Sequence, residues 1–175
     1  MGRRETSKRS CITRAAPQYA TPDCFCRIFK QNIDRLYLLS LLLTGDSAIA
    51  EKCFAQGFDD CLKGGPVLRE WAPSWARRTV ICNAVQIMRP NAGEGVLPAS
   101  ASADSLNACS FMPAEFRDVV ALPVFERFAF VMSVLERYSN HECSLLMNCS
   151  TAQVIAARSR ALQQIGHFSG PLALE

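Results

Sequence analysis

The chain has 175 residues and a mass of 19.3 kDa, with 49% hydrophobic and 20% charged residues and a mean hydropathy of +0.06. That apolar content is enough to bury a core and excludes global disorder, and nine glycines and nine prolines exclude collagen-like and low-complexity classes. The net charge of +3 sits towards the front: residues 1–24 hold five Lys/Arg against two acids, residues 25–90 nine against six, and residues 111–165 five against five. A basic front end suits a polyanion or a solvated tail.

The longest apolar run, Leu36–Leu43, is interrupted by Ser40 and falls short of the roughly 20 residues that span a bilayer. The basic start Met1–Arg14 is not followed by an apolar h-region, so a cytoplasmic protein without a signal peptide is expected. There are nine cysteines, an odd number, with no CxxC pair. Reduced thiols are the default, and neither Cys24-x-Cys26 nor His141-x-Cys143 with Cys149 has the paired spacing of a zinc knuckle. No metal and no cofactor is expected.

Residues 1–24 carry no period and contain Pro17 and Pro22, which predicts a flexible basic arm. From Cys24 the pattern is helical, with Phe25, Ile28, Phe29, Ile33, Leu36, Tyr37 and Leu41 at three- and four-residue steps. Thr44-Gly45-Asp46-Ser47 breaks it, with Gly45 suited to the C′ position and Asp46 or Ser47 to an N-cap. A second helix is predicted over Ala48–Leu62, ended by Lys63-Gly64-Gly65-Pro66. A third begins after Pro73, capped by Ser74, and stops before Pro90. Residues 90–113 are rich in Pro, Gly, Ala, Ser and Asn and read as a linker.

Beyond the linker a short helix is predicted over Ala114–Val120, and a longer one opens at Leu122-Pro123 and runs to about Arg137. Ser139-Asn140-His141-Glu142 fits a capping box and starts a short helix to Met147. Asn148 tolerates the left-handed conformation of a tight turn. Ser150-Thr151-Ala152-Gln153 is a second box, opening a last helix to about Ile165, with Gly166 as its stop and residues 167–175 as a tail. Two short capped helices around a three-residue turn read as a helix-turn-helix or as an ordinary helical hairpin. The expected fold is all-α: a helical module over 25–89 and a helix-turn-helix module over 114–166, joined by a flexible linker.

Taken together, these modules resemble a bacterial sigma-70-type factor of the small, two-domain extracytoplasmic-function class. Leu42-Leu43-Thr44-Gly45-Asp46-Ser47-Ala48-Ile49-Ala50-Glu51, with Phe58 beyond it, is similar to the family's "LTGDPAEAEDLVQEVF" stretch. Trp71, Trp75 and the helix Ala76–Met88 stand where the family has its "WL..IARN" helix. Leu122-Pro123, Glu126-Arg127, Glu136-Arg137-Tyr138-Ser139, Glu142 and Ser150 align without gaps to the family's fourth conserved region.

The resemblance implies a transcription initiation factor that directs RNA polymerase to promoters. It would bind promoter DNA and core RNA polymerase, with an anti-sigma protein as a further partner and no membrane. By the same resemblance, the first module would hold core polymerase and the melted minus-ten element, and the helix Thr151–Ile165 would hold the minus-thirty-five element. The expected DNA-binding residues are Thr151, Gln153, Arg158, Ser159 and Arg160 on the last helix, and Arg77, Arg78, Asn83 and Gln86 on the third. Gln can pair with adenine, Arg can pair with guanine, and Trp71 and Trp75 can stack unpaired bases. Asn83 stands one position after the family's base-facing Asn, which aligns with Cys82.

The expected polymerase-binding residues are Glu51, Lys52, Ala55 and Gln56. The family's D-L-V-Q-E cluster reads here Lys52-Cys53-Phe54-Ala55-Gln56, a charge reversal of the kind that slows association. The alternative is therefore a sigma-like protein-interaction module that does not bind core polymerase. A third reading is a thiol redox sensor at Cys143 and Cys149, which requires an exposed thiol of low pKa. An enzyme is not expected. The only histidines are His141 and His167, and the chain has no P-loop and no dinucleotide-binding fingerprint.

Overall fold

The computed structural model describes residues 18–90 and 114–168. Most of the expected basic arm, the linker after Pro90 and the tail after Phe168 lie outside them. Among the described residues the chain is all-α, apart from an isolated antiparallel bridge between Tyr19 and Leu68. The end of the arm is tied down by that bridge: the Ala20 amide donates to the Val67 carbonyl at 2.7 Å, and the Arg69 amide to the Gln18 carbonyl at 2.9 Å.

Helix α1 covers Pro22–Gln31 and starts two residues before the apolar period, because Thr21 accepts the Cys24 amide and Pro22 fits the first turn. The expected continuous helix to Thr44 is broken at Asn32, whose amide side chain donates to the Ile28 carbonyl at 2.8 Å and competes with the backbone there. Helix α2, Ile33–Thr44, follows and ends at Gly45 in the left-handed region, φ +70°. Asp46 caps α3, Ser47–Lys63, by accepting the Ile49 amide at 2.9 Å. A single 3-10 turn, Arg69–Trp71, leads into α4, Ala72–Met88, so that Ser74 lies inside the first turn instead of capping it.

Beyond the linker come α5, Ala114–Ala121, and α6, Val124–Phe130, which continues as a π-helical turn over Val131–Leu135. The predicted run to Arg137 stops there, and Arg137 turns the chain with φ +59°. Helix α7 is Asn140–Met147 and α8 is Thr151–Phe168. Gly166 does not stop α8; it lies exposed within the last turn.

The two helical segments share one apolar core. Phe29 packs against Phe54 and Phe58, with ring centroids 5.4 and 4.9 Å apart. The same cluster contains Leu43 of α2, Val80 and Ile81 of α4, Phe128 of α6, Met132 of the π turn, and Val154, Ala157 and Ala161 of α8. Helix α2 packs on both α5 and α6, and α4 touches α7. Residues far apart in sequence therefore meet on one surface.

Candidate nucleic-acid interface

The α7–α8 unit is built by its caps. The Ser139 amide donates to Glu142 at 2.8 Å and the Glu142 amide to the Ser139 hydroxyl at 3.2 Å. Ser150 and Gln153 repeat the arrangement at 2.8 and 3.2 Å. Between them Asn148 adopts φ +51° and makes the turn three residues long. Donation from the Ser139 hydroxyl at 2.7 Å and from its amide holds the Glu142 carboxyl below the usual carboxylate range.

Helix α8 buries Val154, Ala157 and Ala161 and turns Thr151, Gln153 and Ser159 to solvent. Its two arginines are drawn back onto the protein. Arg158 is half-buried and donates to the Asn140 side chain at 3.3 Å. Arg160 pairs with Glu126 of α6 at 2.8 Å. Ile155 and Leu162, seven residues apart, stand 44% and 49% exposed. The outward face of α8 is thus polar, with Ile155 and Leu162 as apolar points on it.

On α4, Arg77 and Gln86 are exposed and Arg78 is half-buried. Asn83 is buried: its amide donates to Asp60 of α3 at 2.7 Å and to the Thr79 carbonyl at 2.9 Å. Its donors are engaged in joining α3 to α4, so it does not stand with the exposed residues of the surface. Trp71 and Trp75 do, at 61% and 38% exposure. They line an open cleft of about 390 Å³ with Arg77, Arg78, Arg137, Tyr138, Glu136 and Glu142. Three arginines face two carboxylates there, beside three aromatic rings. Burial raises the Tyr138 hydroxyl pKa, with Arg78 opposing it.

On α3, Glu51, Lys52, Ala55 and Gln56 are all exposed at one- and four-residue spacings, which places them on one face. The structure therefore groups the four expected polymerase-binding residues, but on a helix face separate from the aromatic cleft.

Comparison of the chain with family models and with curated proteins finds no match.

The thiols differ from the redox expectation. Cys143 is buried and its pKa is pushed up to about 11 by desolvation; burial also raises that of Cys149. Neither is an exposed thiol of low pKa. Cys24 goes the other way, to about 7, because the Thr21 hydroxyl and backbone and then the Arg69 guanidinium stabilise its thiolate. Among the described residues no three His, Cys, Asp or Glu side chains come together as a metal site. Sequence reasoning missed Arg137 and Tyr138 as partners of the tryptophans. The signal was the junction Glu136-Arg137-Tyr138 ahead of the first capping box, whose position opposite α4 is set by long-range packing.

Proposed function

We propose that this chain is a sigma-like transcription initiation factor that directs RNA polymerase to promoters by binding DNA. One observation carries the reading: both tryptophans line, together with Arg77 and Arg78, an open cleft that also holds Arg137 and Tyr138. Aromatic faces stack unpaired bases whatever their identity, and guanidinium groups neutralise the phosphates between them. The twice-capped α7–α8 unit supports the same reading, with Thr151, Gln153 and Ser159 as the outward polar groups of its second helix. In this account α3 docks on core polymerase through Glu51, Lys52, Ala55 and Gln56, and the protein acts in the cytoplasm under an anti-sigma partner.

Trp71 and Trp75 are the chain's only tryptophans, so its intrinsic tryptophan fluorescence reports on the cleft. Titration with a single-stranded oligonucleotide should quench it. Three phosphate contacts predict a slope of about −2 in log affinity against log salt. Quenching that is absent, or insensitive to Arg77→Gln with Arg78→Gln, would count against DNA in the cleft.

The second reading, a sigma-like protein-interaction module, is favoured by α8. Ile155 and Leu162 are exposed there, while Arg158 and Arg160 are occupied within the protein. Under that reading, Ile155→Ser with Leu162→Ser abolishes partner capture; under the first it leaves the fluorescence titration unchanged.

A further inference from the structure

A second cavity, of about 430 Å³, opens between the two helical segments. Leu39 and Leu42 of α2, Phe116 of α5, and Val131 and Leu135 of the π turn form its apolar wall. Arg35 of α2 and Arg77 of α4 also line it, with Glu136 as the one carboxylate. Among the described residues neither arginine is in an ion pair. The lining therefore carries a net positive charge beside a greasy interior, at a volume within the usual range for small-molecule sites.

The π turn that ends α6 forms one side of the cavity. Its wide ring is closed by the Glu136 amide donating to the Val131 carbonyl at 2.9 Å, so the residues at both ends of that bond line the cavity. The turn ends α6, and Arg137 follows two residues later in the left-handed region, an ordinary way for a helix to close. Leu135 is left 41% exposed by it, an apolar side chain at the border between cavity and solvent.

We propose that this cavity is a binding site for a small amphipathic organic anion: a carboxylate or sulfonate held by Arg35 and Arg77, with an apolar chain or ring against the leucine wall. A phosphate-rich polymer is excluded by the apolar wall, and a cation by the two guanidinium groups. Because α2, α4, α5 and the π turn all contribute, a bound anion holds the two helical segments together. It raises the melting temperature of the whole chain, as any ligand selective for the folded state does.

The test uses the full chain and 8-anilinonaphthalene-1-sulfonate. Saturable fluorescence enhancement at one site is expected, displaced by dodecanoate and not by dodecyltrimethylammonium, which has the same tail and the opposite charge. Arg35→Gln should weaken binding about tenfold, the usual loss for one charge-assisted hydrogen bond, and Arg35→Lys should retain most of it. Leu135→Trp, at an exposed position, should block the cavity with the melting temperature of the free protein unchanged. Enhancement that does not saturate, equal displacement by the cationic surfactant, or full binding in both Arg35→Gln and Leu135→Trp would overturn the proposal. Arg77 and Glu136 line both sites, but Arg35 and Leu135 lie outside the aromatic cleft, so failure in those variants leaves the nucleic-acid reading untouched.

Discussion

Arg127 of α6 closes the C-terminus of α2: its Nη2 donates to the Thr44 carbonyl at 3.0 Å. Its Nε donates to the Leu43 carbonyl at 3.1 Å and its Nη1 to the Val120 carbonyl at 2.8 Å. Helix α2 has no basic residue in its own last turn, so a cation from another helix meets the negative end of its dipole. Burial pushes the Arg127 pKa down to about 10, which still leaves it charged at neutral pH.

Arg127→Met should therefore destabilise the fold by about 3 kcal/mol, since three carbonyls lose charge-assisted donors at once. Urea unfolding monitored by circular dichroism measures this. Arg127→Lys should restore little, because one ammonium cannot reproduce the planar fork.

Gly45 is coupled to the same group. Its φ of +70° disfavours any side chain, and a Cβ there would lie 2.9 Å from Arg127 Nη1. Gly45→Ala should cost about 1–2 kcal/mol for the left-handed backbone, plus the contact. In the Arg127→Met background the contact with the guanidinium is lost and only that with Val120 Cγ1 at 3.3 Å remains, so the double variant should be more stable than the sum of the singles predicts, by about 0.5 kcal/mol.

Gly57 marks a close approach of α3 to α4. A Cβ there would meet Val80 Cγ2 at 2.9 Å and the Val80 backbone nitrogen at 3.1 Å. Backbone cannot give way as a side-chain tip can, so Gly57→Ala should cost about 1–3 kcal/mol by overpacking. Gly166→Ala is the control: a Cβ there meets nothing within 4 Å, and alanine should gain roughly 0.5–1 kcal/mol in helix propensity. Thermal melts of the two variants should move in opposite directions.

Cys24 gives a pH signature. With its folded pKa lowered to about 7 from 9.0, the thiolate's contribution to stability is fully present above pH 9 and is lost as pH falls through about 7. Cys24→Ala should thus be more damaging at pH 9 than at pH 6. Thiolate absorbance, read as the difference between the native chain and Cys24→Ala, should show a midpoint near 7 for the buried Cys24, moving upward in Arg69→Gln. The midpoints of Cys53, Cys61 and Cys82 should lie above 9, because burial raises each.

The all-α fold was legible because its signals are local. Asp46, Ser139 and Ser150 cap where the sequence places them, and Gly45 and Asn148 turn left-handed as expected. The Asn32 break was not, since an asparagine side chain that turns back on its own helix leaves the apolar period intact. Nor was the shared core, which depends on Arg127 reaching Leu43, 84 positions away in sequence. The candidate site divides in the same way. Exposure of Thr151, Gln153 and Ser159 follows from helical period alone, whereas the engagement of Asn83 by Asp60 and of Arg160 by Glu126 depends on which helices become neighbours.

The most direct measurement is capture of the host's core RNA polymerase by the native chain, followed by mapping of transcript starts from genomic DNA with the captured enzyme. Stoichiometric capture through the α3 face is expected, with a discrete set of starts absent from core polymerase alone. No capture by the native chain would contradict the sigma-like reading. Capture regained by Lys52→Asp would then place the loss at the reversed charge on α3 and leave the interaction-module reading in its place.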